Sequence, residues 1–208
     1  MVKYYAGIGS RDTPPDIFKL MSEIASILEA NNFILRSGAA TGADTAFEIG
    51  VSDFKNMNLF LPKPVFNDHN WYDKGCIYIN DTHPNYQAAY DSIIIHPAGF
   101  KLSLGPRNMM IRNYFQVMGI NNEPISSFVI CWTPDGADGI TKLTSRETGG
   151  TGQAIRIASK YNVPVYNLND YRYKDITASE FVDLVLSNLG NNINPNSPPK
   201  KTITTSLF

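Results

Sequence analysis

Residues 33–44 run Phe33-Ile34-Leu35-Arg36-Ser37-Gly38-Ala39-Ala40-Thr41-Gly42-Ala43-Asp44. A short apolar run comes first, a glycine-bearing turn follows it, and a helix-like segment begins near Ala43. Glycine lets a backbone approach a ligand closely, and the first N–H groups of a helix have no partner inside the helix. Together with the positive end of the helix dipole, they favour a phosphate group. This stretch therefore predicts a strand, a phosphate-binding turn and a helix.

Two further glycine-bearing turns occur, Gly7-Ile8-Gly9-Ser10-Arg11 and Gly149-Gly150-Thr151-Gly152-Gln153. The first follows a short apolar run, while the second follows Arg146 and Glu147 on a loop after the fourth predicted strand and opens another helix-like segment. Turns of this kind at three strand ends predict a nucleotide-shaped pocket. The 149–152 turn has neither the spacing of an ATPase P-loop nor that of a dinucleotide fingerprint, so neither of those sites is predicted.

The alternation of apolar runs with helical periodicity predicts the fold class. Strands are predicted at 3–8, 33–35 and 58–61, with helices between them, and this β-α-β-α-β start predicts a doubly wound, mostly parallel sheet. Helices on both faces would make a three-layer α/β/α domain. Later in the chain the predicted helices are 85–95, 107–118, 150–161 and 179–189, and the predicted strands are 128–133 and 163–168.

The domain organisation is predicted from changes in composition. Residues 1–189 are predicted to form one nucleotide- or DNA-binding domain, with an excursion at about 62–84. The stretch 62–78 is rich in proline and aromatic residues and predicts a loop rather than a sheet strand. Its aromatic side chains either stack on bases or fill a small apolar cluster; they are Phe66, Trp71, Tyr72 and Tyr78. Residues 190–208 are rich in Asn, Pro and Ser and predict a flexible tail.

Composition limits the classes of function. The chain has 208 residues and a formal net charge of −1, so indiscriminate coating of nucleic acid is not expected. Cys76 and Cys131 lack finger-type spacing and are interpreted as reduced thiols, and the three histidines are scattered, so neither a metal site nor a cofactor is predicted. Without a signal-like or membrane-spanning run, we expect a cytoplasmic protein with no membrane partner.

The candidate site combines the three turns with one arginine-bearing helix. Arg107 and Arg112 lie five residues apart and so point to different faces of a helix; Arg107, in the first turn, is predicted to face the pocket. Asp44 either caps its helix or accepts a ribose hydroxyl. The predicted ligand- and phosphate-binding residues are Gly9, Ser10, Arg11, Ser37, Gly38, Thr41, Gly42, Asp44, Arg107, Asn108, Gly149, Gly150, Thr151 and Gly152.

The order of these motifs resembles the Rossmann-like domain of the DNA-processing protein A family of recombination mediators. It also resembles the wider superfamily that contains the lonely-guy phosphoribohydrolases. The resemblance spans roughly residues 3–168 and is most specific at 37–44, while 129–136 and 149–155 look like stand-alone bacteriophage relatives. It implies a phosphate pocket, single-stranded DNA as the ligand and, for a phage protein, a location in the host cytoplasm. The residues implied are Arg11, Ser37, Gly38, Arg107 and 149–152.

The expected function is therefore non-catalytic binding of single-stranded DNA or a nucleotide-type ligand. One alternative is hydrolysis or transfer at the N-glycosidic bond of a nucleoside monophosphate or NAD-derived nucleotide; another is a sensor or sponge for a nucleotide signal. Phosphoribohydrolases carry threonine and glutamate after the glycine turn, where this chain has Gln153, Ile155 and Arg156, so no catalytic residue is predicted. The nearest carboxylates in sequence are Glu147 and Asp44.

Two partners are also predicted. With a net charge of −1 a single copy should bind DNA weakly, so we expect a homo-oligomer. Residues 205–208 loosely resemble the Leu-Phe-ending peptides that dock on DNA sliding clamps, which suggests a clamp partner as an alternative to a frayed terminus.

Overall fold

The computed structural model describes residues 2–120 and 123–196. Within them the strands are β1 (Lys3–Gly7), β2 (Phe33–Ser37), β3 (Met57–Leu61), β4 (Val65–Phe66), β5 (His69–Asn70), β6 (Cys76–Tyr78), β7 (Val129–Cys131) and β8 (Val165–Asn167). The α-helices are α1 (Pro15–Ala30), α2 (Ala43–Gly50), α3 (Tyr86–Asp91), α4 (Leu104–Met118), α5 (Thr151–Lys160) and α6 (Ala178–Gly190). Short 3-10 helices cover Phe54–Asn56, Ser92–Ile95, Gly99–Lys101 and Tyr171–Tyr173.

The main sheet has six strands in the order β6-β3-β2-β1-β7-β8, and all its neighbouring pairs are parallel. The chain first builds outward from β1 to one edge, through β2, β3 and β6. It then returns to the other side of β1 with β7 and β8. The strand order therefore reverses between β1 and β7, and the crevice at the carboxyl ends of such strands is where open α/β sheets bind ligands. The predicted doubly wound sheet is confirmed.

Helices cover both faces of the sheet. Successive strand residues point to opposite faces, so each face carries its own apolar core. Tyr5 belongs to a core with Met21, Phe47 and Phe181, under α1, α2 and α6. The next residue, Ala6, belongs to a second core under α3, α4 and α5. The three-layer α/β/α arrangement is thus confirmed. In the part of the chain that the structure describes, no helix is long and apolar enough to cross a bilayer.

The excursion differs from the prediction of a loop without a sheet strand. Cys76–Tyr78 is the edge strand β6, in parallel register with β3 from Leu59 to Leu61. β4 and β5 form a small antiparallel hairpin. Three residues are too few to show a strand period, so it is pairing with β3 that makes this segment a strand.

Beyond α6 the chain is anchored to the domain at Asn196, the last residue that the structure describes. Asn196 is buried, its Oδ1 accepts from the Val165 N–H at 3.0 Å, and its Nδ2 donates to Asp138 Oδ2 at 3.0 Å. Within the predicted tail, Asn196 therefore packs beside β8, while residues 191–193 are exposed. The clamp-like residues 205–208 lie outside the described residues.

Candidate functional site

A cleft of about 340 Å³ opens at the carboxyl ends of β1 and β7. Its walls are the loop after β1, the start of α2, the inward face of α4 and the turn before α5. The lining residues are Ile8, Gly9, Ser10, Arg11, Asp12, Ala40, Asp44, Met109, Met110, Arg112, Asn113, Gln116, Pro134, Glu147, Thr148, Gly149, Gly150 and Thr151. This volume is near the lower limit of about 300 Å³ for small-ligand pockets.

The structure divides the residues predicted for the site into two groups. Those that line the cleft are Gly9, Ser10, Arg11, Asp44, Gly149, Gly150 and Thr151. Those outside its lining are Ser37, Gly38, Thr41, Gly42, Arg107, Asn108 and Gly152. All three turns therefore contribute residues to the lining of the cleft. In the turn after β2, however, most of the predicted residues lie outside that lining.

The turn after β2 is occupied by contacts within the protein. Ser37 is fully buried and its hydroxyl donates to the Gly7 carbonyl at 2.6 Å. A Cβ on Gly38 would lie 1.0 Å from Arg112 Nη1. Gly42 has a φ of +81°, and a Cβ there would lie 2.5 Å from the Arg11 carbonyl oxygen. Both glycines thus permit close packing inside the protein, and Gly38 makes room for an arginine rather than for a ligand.

That arginine forms a buried ion pair at the floor of the cleft. Arg112 Nη1 lies 3.4 Å from Asp44 Oδ2, and their side chains are only 5% exposed each. Burial is the main cause of both pKa shifts, raising the pKa of Asp44 and lowering that of Arg112, while their mutual attraction opposes the shift at each group. The amide of Gln116 completes the floor, with its oxygen 3.2 Å from Arg112 Nη1 and 3.0 Å from the Gly38 N–H.

The prediction that Arg107 faces the pocket is wrong, since Arg112 lines the cleft and Arg107 does not. Arg107 Nη2 instead donates to the carbonyls of Phe100 and Leu102, at 3.3 and 2.9 Å, and so holds the segment before α4. Five residues along a helix correspond to a rotation of about 140°. Spacing separates the two side chains in this way but does not reveal which of them faces the sheet.

The turn before α5 is open where the turn after β2 is filled. α5 begins after Gly150, and no side chain in the described part of the chain caps its N-terminus. A Cβ on Gly149 would meet no atom of residues 2–120 or 123–196 within 4 Å. Asn113 Nδ2 donates to the Gly150 carbonyl at 2.9 Å, which fixes the turn against α4. The first N–H groups of α5 therefore form part of the cleft wall, in the arrangement that favours an anion.

A buried carboxylate that the sequence analysis missed supports this turn. Asp135, after β7, accepts hydrogen bonds from the hydroxyls of Thr133 at 2.8 Å, Ser145 at 2.6 Å and Thr148. Burial alone would raise the pKa of Asp135, but these hydrogen bonds outweigh it and lower the pKa to about 2. The partners lie up to 13 residues away. No short motif could have revealed the network.

The free charges of the cleft have mixed signs. Arg11 is exposed and makes no side-chain hydrogen bond or ion pair with the residues that the structure describes. Burial is the main reason for the lowered pKa of Arg112, and the nearby charge of Arg11 lowers that pKa further. Asp12 and Glu147 are exposed carboxylates in the same lining. The lining contains two arginines among the described residues, and since Asp44 neutralises Arg112, Arg11 is the one that remains for a ligand.

Comparison with known proteins shows which solved structures share this fold. No protein-family model and no curated protein matches the chain. The structure of DNA processing protein A from Helicobacter pylori matches with a TM-score of 0.51 at 16% identity, over 90% of this chain and 82% of that one. The chain folds like DNA processing protein A.

The H. pylori DNA processing protein A binds single-stranded DNA. A second structure, DNA processing protein A (DprA) from Streptococcus pneumoniae, matches with a TM-score of 0.41 at 17% identity, over 89% of this chain and 56% of that one. The predicted resemblance to the fold of DNA processing protein A is therefore confirmed on the H. pylori structure.

Proposed function

We propose that the chain binds single-stranded DNA and holds a backbone phosphate in the cleft at the carboxyl ends of β1 and β7. The observation that carries this proposal is the start of α5 in the wall of a cleft that also contains Arg11; among the described residues, no side chain caps this helix start or pairs with Arg11. The likeness of the fold to a protein that binds single-stranded DNA supports the same ligand.

Several groups of the lining would hold the phosphate together. The backbone N–H groups at Gly150 and Thr151 and the Thr151 hydroxyl would donate to phosphate oxygens, as helix N-termini do. Arg11 would supply the charge and can donate in a bidentate fashion. Arg112 has a different role, because its guanidinium is already paired with Asp44 and fixes the floor.

The hairpin beside the cleft offers a surface for the bases. The amide Nδ2 of Asn67, at its tip, donates to the Ala39 carbonyl, so the hairpin packs on the turn after β2. Just beyond it, Trp71 and Tyr72 are 58% and 70% exposed. Stacking of a base on an aromatic ring is worth about 1–3 kcal/mol. We therefore include Trp71 and Tyr72 in the proposal as stacking residues.

The experiment measures binding of a fluorescently labelled oligothymidylate by anisotropy over a range of salt concentrations. Each phosphate contact contributes about 0.7 to the slope of log affinity against log salt for single strands. We expect Arg11→Ala to lower affinity about tenfold and to reduce the slope by about 0.7. Lys19→Ala, on the exposed surface of α1, is the matched control and should leave both unchanged.

Trp71 provides a second, independent readout. The other tryptophan, Trp132, is buried, so quenching of tryptophan fluorescence by DNA would report mainly on Trp71. Binding that is identical in wild type, Arg11→Ala and Trp71→Ala would contradict the proposal. Light scattering of free and DNA-bound protein would test the predicted homo-oligomer at the same time.

A second candidate is N-glycosidic chemistry on a small nucleotide, which the exposed carboxylates Asp12 and Glu147 in a cleft of about 340 Å³ favour. Such chemistry needs a carboxylate near the glycosidic carbon. Incubation with nucleoside monophosphates tests it: release of free base by wild type and its loss in Glu147→Gln would replace the binding proposal. A nucleotide released from the purified protein, without turnover, would instead favour the sensor or sponge.

A further inference from the structure

Three side chains of different chemistry meet at the hairpin, and none of them is in the lining of the cleft. His69 lies on β5, Asp73 follows in the next turn, and Cys76 begins β6. One donor atom from each lies within 4.8 Å of the other two. Cys76 Sγ is 3.8 Å from His69 Nδ1. In a tetrahedral zinc site, bond lengths of about 2.3 Å to sulfur and 2.0 Å to nitrogen place these atoms about 3.5 Å apart.

The groups around this cluster orient its donors. Glu48 Oε2, on α2, lies 3.2 Å from His69 Nε2, so the carboxylate draws the imidazole proton to Nε2 and leaves the lone pair on Nδ1, the atom nearest Cys76. The Asn70 N–H donates to Asp73 Oδ2 at 2.7 Å and fixes that carboxylate. Histidine ligands of metals are usually held by a carboxylate on the second ring nitrogen in this way, and ligating carboxylates are themselves hydrogen-bonded.

We propose that His69 Nδ1, Cys76 Sγ and an Asp73 carboxylate oxygen bind one divalent cation of the zinc class. A water molecule would take the fourth position. On binding, the Cys76 thiol loses its proton to solvent and coordinates as the thiolate. One thiolate, one imidazole and one carboxylate suit a borderline-soft ion and suit Mg²⁺ or Ca²⁺ poorly.

The proposed ion would be structural. Its ligands come from the hairpin, the following turn and the edge strand, and Glu48 ties them to α2. The edge strand β6 has three residues and the hairpin strands have two each, so the segment has little regular structure of its own to hold it. A bound ion would fix the hairpin against α2 at Glu48, which lies one helical turn along α2 from Asp44.

The test uses the full chain without an affinity tag, stripped of metal by a chelator and titrated with Co²⁺. We expect one equivalent to bind, with a thiolate-to-cobalt charge-transfer band and the visible bands of a tetrahedral site, and Zn²⁺ to displace it. Cys76→Ser and His69→Gln should abolish the spectrum. Glu48→Gln should weaken binding about 10- to 100-fold. His96→Gln and Cys131→Ala change the same residue types outside the cluster and should bind as wild type does.

A second measurement needs no substitution. Cys131 is fully buried, so a thiol reagent applied to the native protein reports on Cys76. One equivalent of Zn²⁺ should slow labelling of Cys76 at least tenfold and raise the melting temperature. Labelling at the same rate with and without Zn²⁺ would overturn the proposal, as would a charge-transfer band that persists in Cys76→Ser.

Discussion

Two glycine-bearing turns of this protein have similar sequences and different surroundings. In the turn after β2, a Cβ on Gly38 would collide with Arg112, and Ser37 is bonded to the carbonyl of Gly7. In the turn before α5, among the residues that the structure describes, a Cβ on Gly149 would meet nothing within 4 Å and one on Gly150 only Met110 Cε at 3.8 Å. The first turn is filled by the protein itself, and the second is open to the cleft.

This difference shows that a glycine turn before a helix has two possible uses. One is to admit a neighbouring side chain of the same protein, as Gly38 admits Arg112. The other is to leave helix N–H groups accessible to a ligand, as at the start of α5. Stability should therefore depend on the first turn, and binding on the second.

The strongest test of the filled turn removes the arginine that fills it. Arg112→Met leaves Asp44 buried without its cation, and we expect the free energy of unfolding to fall by about 3–5 kcal/mol. Arg107→Met is the matched change on the same helix and removes only hydrogen bonds to two carbonyls, so it should cost about 1 kcal/mol. Urea unfolding followed by circular dichroism measures both. Equal losses would mean that the Arg112–Asp44 pair does not support the turn.

The same substitution in each turn compares them directly. Gly38→Ala must displace Arg112 or Gln116, and we expect it to destabilise the protein by about 2–3 kcal/mol. Gly150 has a φ of −63°, and a Cβ there would make an ordinary contact with Met110. The stability of Gly150→Ala should therefore stay within about 0.5 kcal/mol of wild type. The midpoints of urea unfolding give both values. A Gly38→Ala protein as stable as Gly150→Ala would contradict the distinction between the turns.

Low pH should weaken the hydrogen bonds by which Asp135 holds the open turn. The pKa of Asp135 is about 2 in the folded protein, below its usual value near 4. Its contribution, about 2 kcal/mol, is therefore complete above about pH 4 and is lost as the pH falls towards 2. Asp135→Asn should be less stable than wild type at pH 7, and the gap should narrow between pH 4 and 2. A gap that stays constant over this range would show that Asp135 does not hold the loop through its charge.

The smallest expected effect concerns the charge at the edge of the open turn. Glu147 is exposed and lines the cleft, so its carboxylate would repel a bound phosphate. Glu147→Gln should strengthen binding of single-stranded DNA about two- to threefold, an effect below 1 kcal/mol. Glu23→Gln, on α1, should leave the affinity unchanged. Weaker binding in Glu147→Gln would give this carboxylate a direct role with the ligand.

Much of the fold could be predicted because its signals are local. The strands β1, β2 and β3 each contain a short apolar run, and the amphipathic face of α1 repeats every three or four residues. These features recur wherever a buried parallel sheet is covered by helices. The edge strand β6 could not be predicted in this way, because three residues carry no period and their strand geometry comes from β3.

The candidate site was predictable only in part for a related reason. Gly149, Gly150 and Arg11 lie where the chain leaves a strand or enters a helix, so their position follows from the element boundaries. Asp135 and Gln116 reach the site through contacts with distant residues, and nothing in their neighbourhood in the chain marks them. His69, Asp73 and Cys76 are close in sequence, but their spacing matches no familiar metal motif, so the cluster went unpredicted.

The sequence by itself determined the parallel α/β fold and the three turns at the carboxyl edge of its strands, because periodicity and glycine placement act over a few residues. Only the tertiary structure decided which turn is filled, which arginine faces the cleft and which side chains surround Cys76. Helical spacing fixes the angle between Arg107 and Arg112, whereas the rotation of α4 about its axis is set by the packing of its buried face on the sheet.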